Sequence, residues 1–261
     1  MNREFEGKAV IVTGSSAGIG EAIAFLFAQR GASVTLCGRD EERLNASLEK
    51  CLKAGGETTS DKIIMVCGDV NERQVRTSIV ESTVKKFGRL DVLVANHADG
   101  SSSNFAEETE DEYDKIMNTN LKSVVFLIKE AIPHLEKSQG NIVCVSSVGS
   151  TKASPGHVSY LLSKAGMDHM VRCLALEYAP KGIRVNAVNP GLVSNTLIAR
   201  HYKGNPQQLK AYLDSIAAKH PLRGRASTAE EQAEVVSFLA SERASFVTGQ
   251  CVKVDGGASL L

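Results

Sequence analysis

An alternation of two patterns constrains this chain more than any single motif. Short β-branched runs recur between longer amphipathic stretches. Ala-Val-Ile-Val-Thr at 9–13 leads into a helical pattern from Ile19, and Ser-Val-Thr-Leu-Cys at 33–37 leads into another from about Asp40. The same beat continues through runs beginning at Lys62, Asp91, Asn141, Ile183 and Cys251. Strands this continuously apolar are buried on both faces, and a helix between most successive strands makes them parallel. The expectation is an α/β fold, a doubly wound parallel sheet of about seven strands with helices on both faces. At 261 residues, 1–261 reads as a single domain large enough to bury its own core.

Local punctuation agrees with that count. Thr109 with Glu112, and Thr228 with Glu231, have capping-box spacing, while Gly31 and Gly88 fall where helices should stop. The acidic run Glu107 to Asp114 reads as the solvated first turn of a helix, where its charge suits the dipole. One long segment, Leu192 to His220, lacks a clear pattern, and a long irregular insert is a candidate substrate loop. Its mixed apolar and polar side chains include Leu197, Ile198, His201, Tyr202, Tyr212 and Ile216.

Charge and cysteines exclude several classes. Lysine plus arginine and aspartate plus glutamate each total 30, and no basic block suggests nucleic acid. The six cysteines are dispersed, without a Cys-x-x-Cys pair or a cysteine-histidine cluster, so reduced, mostly buried thiols and no metal are expected. The first strand pattern begins near Lys8 and no apolar run reaches the roughly 18 residues of a membrane span, so the expected location is cytoplasmic, with no membrane partner. The triplet Asn45-Ala46-Ser47 then carries no glycan, and Ser259-Leu260-Leu261 is not the usual peroxisomal tripeptide.

Thr-Gly-Ser-Ser-Ala-Gly-Ile-Gly, Thr13 to Gly20, joins the first strand to the first helix. Gly14 permits a tight turn, Gly18 allows backbone to approach a phosphate, and Gly20 lets helix and strand pack closely. Ser15, Ser16 and Ile19 complete a loop whose free N–H groups suit a pyrophosphate. After the second strand comes Cys-Gly-Arg-Asp, 37–40. An arginine here can pair with the 2′-phosphate of NADP, so Arg39 favours NADP(H), while Asp40 leaves NAD(H) possible through the ribose hydroxyls.

Further along stand Gly68-Asp69-Val70, Asn118-x-Asn120-Leu121, Ser147 after the fifth strand, Tyr160-x-x-x-Lys164, Asn189-Pro190-Gly191 and Val254-Asp255-Gly256-Gly257. In this order and spacing, over essentially the whole chain, they resemble the short-chain dehydrogenase/reductase family in its compact form. The resemblance implies a Rossmann-like sheet of order 3-2-1-4-5-6-7. It makes Asn120, Ser147, Tyr160 and Lys164 a catalytic tetrad, with Lys164 also on the nicotinamide ribose and Asn120 ordering a water that reprotonates through Lys164. Asp69 and Val70 would meet the adenine and Asn96 would stand near the cofactor. Pro190, Gly191 and Val193 would line the nicotinamide side. Val148, Gly149, His157 and Leu192 would line the substrate mouth. The long helical patterns Glu110 to Glu136 and Val158 to Tyr178 pack across a two-fold axis in that family, implying a homo-oligomer, a tetramer or dimer.

Two departures stand out. The usual Asn-Asn-Ala-Gly is Ala95-Asn96-His97-Ala98 here, and the threonine expected after Pro-Gly is displaced, with Ser194, Asn195 and Thr196 competing and Thr196 preferred.

The implied chemistry makes physical sense. Hydride transfer to a ketone leaves an alkoxide that needs a proton, and a positioned phenol can supply it. Lowering a tyrosine pKa from about 10 by ~3 units takes about 4 kcal/mol, which an ammonium about 4 Å away at an effective dielectric of ~20 can offer. Lys164, four residues past Tyr160 on one helix face, is expected to do this. Ser147 can donate to the substrate carbonyl. Two other readings remain in view: a catalytically idle redox-sensing nucleotide module, and a hydrolase using Ser147 with His157. Val-Ser-Ser-Val-Gly offers no nucleophile elbow, which counts against the latter.

Overall fold

The structure, a computed structural model, describes residues 3–55, 61–100, 104–194 and 205–261. Its centre is one parallel sheet of seven strands in the order β3-β2-β1-β4-β5-β6-β7, as expected. The strands are β1 Ala9–Thr13, β2 Ser33–Gly38, β3 Ile63–Cys67, β4 Val92–Ala95, β5 Asn141–Val145, β6 Arg184–Pro190 and β7 Cys251–Val254.

Side chains alternate across β1 because strand geometry has a period of two. Val10 and Val12 join one core cluster, and Ile11 the other. The first cluster takes α1 Gly18–Gln29, α2 Glu41–Gly55 and a late helix through Ile23, Phe27, Leu44, Val236 and Leu239. The second takes α3 Arg73–Phe87 and two long helices through Ile79, Leu127, Met167 and Val171. Those long helices are α5 Ser123–Ser138 and α6 Val158–Tyr178, preceded by α4 Glu110–Met117. The late helix is α8, Ala229–Ala240.

Both capping boxes form, at Thr109 with Glu112 and at Thr228 with Glu231. Gly88 ends α3 at φ 75°, a left-handed conformation that glycine adopts without a Cβ penalty.

Two features depart from expectation. The pattern from Glu110 to Glu136 is not one helix: Asn118–Lys122 forms a single π turn between α4 and α5. Such a turn inserts one extra residue into a helix, a defect that apolar periodicity does not reveal. Within the stretch read as irregular, Pro206–Ala217 forms helix α7, with the Asn205 side chain capping Gln207 N–H and proline in the first turn. Three of the six cysteines, Cys67, Cys173 and Cys251, are not fully buried.

The order places β1 beside β4, where the sheet reverses its direction of winding. Ligands of open α/β sheets bind in the crevice at the carboxyl ends of strands flanking such a switch point.

Candidate active site

A cavity of about 970 Å³ opens at that crevice. Its walls come from the loop after β1, the ends of β2 and β3, the residues following β4, β5 and β6, and the start of α6.

The β1–α1 loop is shaped by its glycines. Gly14 has φ 65° and Gly18 φ 59°. A Cβ on Gly20 would lie 2.2 Å from the Gly14 carbonyl oxygen and 2.4 Å from Asn96 Nδ2, so helix and loop close only over a bare Cα. Ala17 at the N-cap offers no side-chain hydrogen bond, which leaves the first-turn N–H groups of α1 for a ligand. Ser16, Gly18, Ile19 and Gly20 line the cavity; Ser15 does not, because its hydroxyl is engaged with Cys37 N–H at 2.8 Å and Cys37 C=O at 3.3 Å. An anionic pyrophosphate fits this cradle.

Arg39, Asp69 and Val70 also line the cavity. Arg39 Nη1 stands 3.7 Å from Asp69 Oδ2, with more than half of the arginine side chain in solvent. The guanidinium is held near the cavity edge yet keeps donors for a further anion.

Asn96 follows β4 and organises the glycine loop. Its Nδ2 donates to Thr13 C=O at 2.9 Å and Gly14 C=O at 3.3 Å. His97 then occupies a position that sequence reasoning saw only as an intrusion. Its Nδ1 lies 2.7 Å from Thr13 Oγ1 and its Nε2 2.7 Å from Ser123 Oγ, whose hydroxyl donates to Thr119 C=O. With the Ser123 proton on Thr119 C=O, the neutral imidazole donates to Ser123 and accepts from the Thr13 hydroxyl, whose contact with Val94 C=O is longer at 3.3 Å. Burial pushes the His97 pKa down to about 3, with the Lys164 charge acting in the same direction.

Asn120 sits in the π turn, fully buried, behind the cavity wall and not on it. Its Oδ1 accepts from Asp99 N–H at 2.7 Å, and its Nδ2 donates to Asp99 C=O at 2.9 Å and to Ser163 Oγ at 3.1 Å. The neighbouring Thr119 lines the cavity.

Ser147, Tyr160 and Lys164 converge on the cavity. Ser147 Oγ accepts from Gly149 N–H at 3.1 Å, and Ser147 acts to lower the pKa of the Tyr160 phenol. The Lys164 ammonium is buried, 5.8 Å from the Tyr160 ring centroid, and donates to Val145 C=O at 2.9 Å. The electrostatics differ from expectation. Burial holds the phenol above its ordinary value, with Ser147 working the other way, and burial also pushes Lys164 down to about 8. Desolvation is the dominant influence on both groups.

Val148, Gly149, His157, Pro190, Gly191, Leu192 and Val193 line the same cavity. Tyr212 and Ile216 of α7, His220 and Ala258 join them, and Lys152 Nζ reaches Ala258 C=O at 2.6 Å, fastening the carboxyl end beside the mouth. Thr196, Asn195 and the residues around His201 lie outside the described residues. Among the described residues no group of acidic, histidine and cysteine side chains could hold a metal ion, and no helix is long and apolar enough to cross a membrane.

Fold and site together define a class: the chain belongs to the short-chain dehydrogenase/reductase family, oxidoreductases acting on the CH–OH/C=O couple with a nicotinamide cofactor. A family model described as enoyl-(acyl carrier protein) reductase matches residues 14–259. Among individual proteins, the chain is 39% identical to a glucose 1-dehydrogenase of Gluconobacter oxydans, covering 98% of this chain and 93% of that one. It is 35% identical to a 3-oxoacyl-(acyl-carrier-protein) reductase of Thermotoga maritima over 97% and 98% of the two chains. A crystal structure of a short-chain dehydrogenase/reductase of unknown function from Caenorhabditis elegans, with cofactor, superposes with a TM-score of 0.92 at 37% identity, covering 99% and 97%.

Proposed function

We propose that this enzyme transfers a hydride between NADP(H) and a carbonyl or secondary-alcohol substrate, with Tyr160 as the general acid/base. The observation that carries the reading is the convergence of Ser147, Tyr160 and the buried Lys164 on a cavity that also contains the uncapped start of α1.

The cofactor would lie with its phosphates on residues 14–20 and its adenosine end beside Arg39 and Asp69. Once bound it supplies or accepts the hydride and, when oxidised, adds a positive charge. Ser147 orients the substrate oxygen by donating a hydrogen bond. Tyr160 gives its phenolic proton to that oxygen as the alcohol forms, or takes it back as the alcohol is oxidised. Lys164 holds positive charge behind the phenol and stabilises the phenolate. Asn120 fixes the turn against Ser163 and Asp99, and its proposed task is to order a water through which Lys164 is reprotonated.

Arg39 supports NADP over NAD because its guanidinium keeps donors for a phosphate beside Asp69. The apolar Leu192, Val193 and Ile216 with His157 and Tyr212 suit a moderately hydrophobic carbonyl compound. Cytoplasmic location and a homo-oligomer, dimer or tetramer, complete the proposal. The support for assembly is the exposure of Phe126 on α5 and of Leu162 and Leu176 on α6.

The test is a panel of ketones, aldehydes and sugars followed at the nicotinamide absorbance with NADPH and NADH in parallel. Turnover with NADPH at higher kcat/KM supports the reading. Nucleotide binding without turnover of any compound points instead to an idle nucleotide-binding module.

A further inference from the structure

α6 carries a second buried charged residue that the tetrad does not include. Asp168 follows Lys164 by four positions, so the two side chains share one helix face about 6 Å apart at Cβ. Lys164 is 1% exposed and Asp168 2%. Asp168 Oδ2 accepts from Asn189 Nδ2 at 2.8 Å, while Oδ1 finds no hydrogen-bond partner among the described residues. The same Asn189 Nδ2 lies 3.0 Å from Ser147 C=O and 2.9 Å from Ser150 Oγ, so its two N–H groups are shared among three acceptors.

A carboxylate placed between Met167 and Val171 on a core-facing helix is expensive to desolvate, and a residue needed only for packing would be apolar. Among its other titratable neighbours, Cys144 acts on Lys164 in the same direction as Asp168. Cys144 on β5 and Cys251 on β7 are pushed up by burial to about 12 and about 11, and burial holds His97 and Tyr160 neutral near pH 7. Arg172, on α6 itself, acts on Cys251. Asp168 is the carboxyl group that shares the buried helix face of Lys164.

We propose that Asp168 is a positioning residue: its buried carboxylate, one helical turn along the same face, favours the charged form of Lys164 through the interior, and through Asn189 it steadies the Ser147 end of β5. One buried carboxylate, a helical turn from Lys164 and not in direct contact with its ammonium, thus bears on both the charge behind the phenol and the backbone of the serine. Its bearing on turnover rests on the proposed role of Lys164, but the coupling itself is independent of turnover.

The experiment follows the Lys164 15Nζ resonance, assigned with Lys164→Met, from pH 6 to 10 in the wild type and in Asp168→Asn. The expected result is a titration midpoint lower by about one unit or more in Asp168→Asn. A companion cycle compares urea unfolding of Asp168→Asn, Lys164→Met and the double variant. Charge coupling predicts non-additivity, the double variant unfolding at higher urea than additive losses give, because it leaves no unpaired buried charge. An unmoved midpoint, or additive losses should the single variant fold too poorly for resonance work, would overturn the proposal. Neither readout involves catalysis, so failure here is distinct from failure of the hydride-transfer reading.

Discussion

At the scale of single residues, the site shows how burial competes with charge. Sequence spacing alone makes Lys164 strong enough to acidify Tyr160, yet in the folded chain the ammonium bonds Val145 C=O and the phenol stays above its ordinary value. A protonated phenol beside a charged lysine suits reduction. Lys164 keeps its proton below about pH 8 and loses it above, so the rate of ketone reduction should hold level to about pH 8 and fall beyond it. A rate that climbs through pH 9 contradicts this. Arg39→Ala should lower the NADPH-over-NADH preference in kcat/KM by about tenfold or more, the scale of a lost charge-assisted hydrogen bond; an unchanged ratio removes Arg39 from cofactor selection. His97 gives a stability prediction. Its folded pKa of about 3 lies below the ordinary 6.5, so the unfolded chain binds more protons between those values. Its contribution is complete above pH 6.5 and is lost as pH falls toward 3, by at most about 5 kcal/mol. Urea titrations from pH 7 to 4 should therefore show a shallower acid decline for His97→Gln than for the wild type, and parallel slopes would refute it.

At the scale of elements, legibility followed periodicity. The strands and α1 to α3 were readable because apolar runs and caps repeat with fixed spacing, and the observed ends differ from the expected ones by a residue or two. The π turn was not readable, since one inserted residue leaves the apolar faces of α4 and α5 nearly in line. α7 was missed although Asn205-Pro206 is a start signal, because few of its side chains follow a buried stripe. The glycine loop was legible in its turn positions, whereas the Asn96 and His97 bonds that hold it come from residues about 83 positions away and leave no local signal. Asp168 had a signal that went unused, its four-residue offset from Lys164. The close packing at Gly20 is testable. Gly20→Ala places a methyl 2.2 Å from the Gly14 carbonyl, and the strain should lower unfolding free energy by about 2 kcal/mol and weaken NADPH binding by fluorescence titration. Wild-type values for both would show that the loop does not close as described.

At the scale of the molecule, sheet order brings residues from all along the chain to one edge. Thr13, Asn96, Ser147 and Pro190 follow or end strands that are neighbours in space, and that adjacency, more than any one motif, makes a site. The order was accessible through resemblance and not from periodicity, which carries no information on which strands pair. Assembly belongs to this scale as well. Leu176 is 82% exposed and Leu162 50% on α6, apolar surface that a partner copy would cover, so light scattering should give a dimer or tetramer and a monomer would refute the proposed assembly. The central claim is that Tyr160 moves the proton. The direct measurement is NADPH-dependent turnover of the best carbonyl substrate by Tyr160→Phe, with NADPH affinity measured on the same sample. The account predicts a rate at least ~100-fold below wild type with affinity unchanged within a few-fold; turnover near the wild-type rate would contradict it.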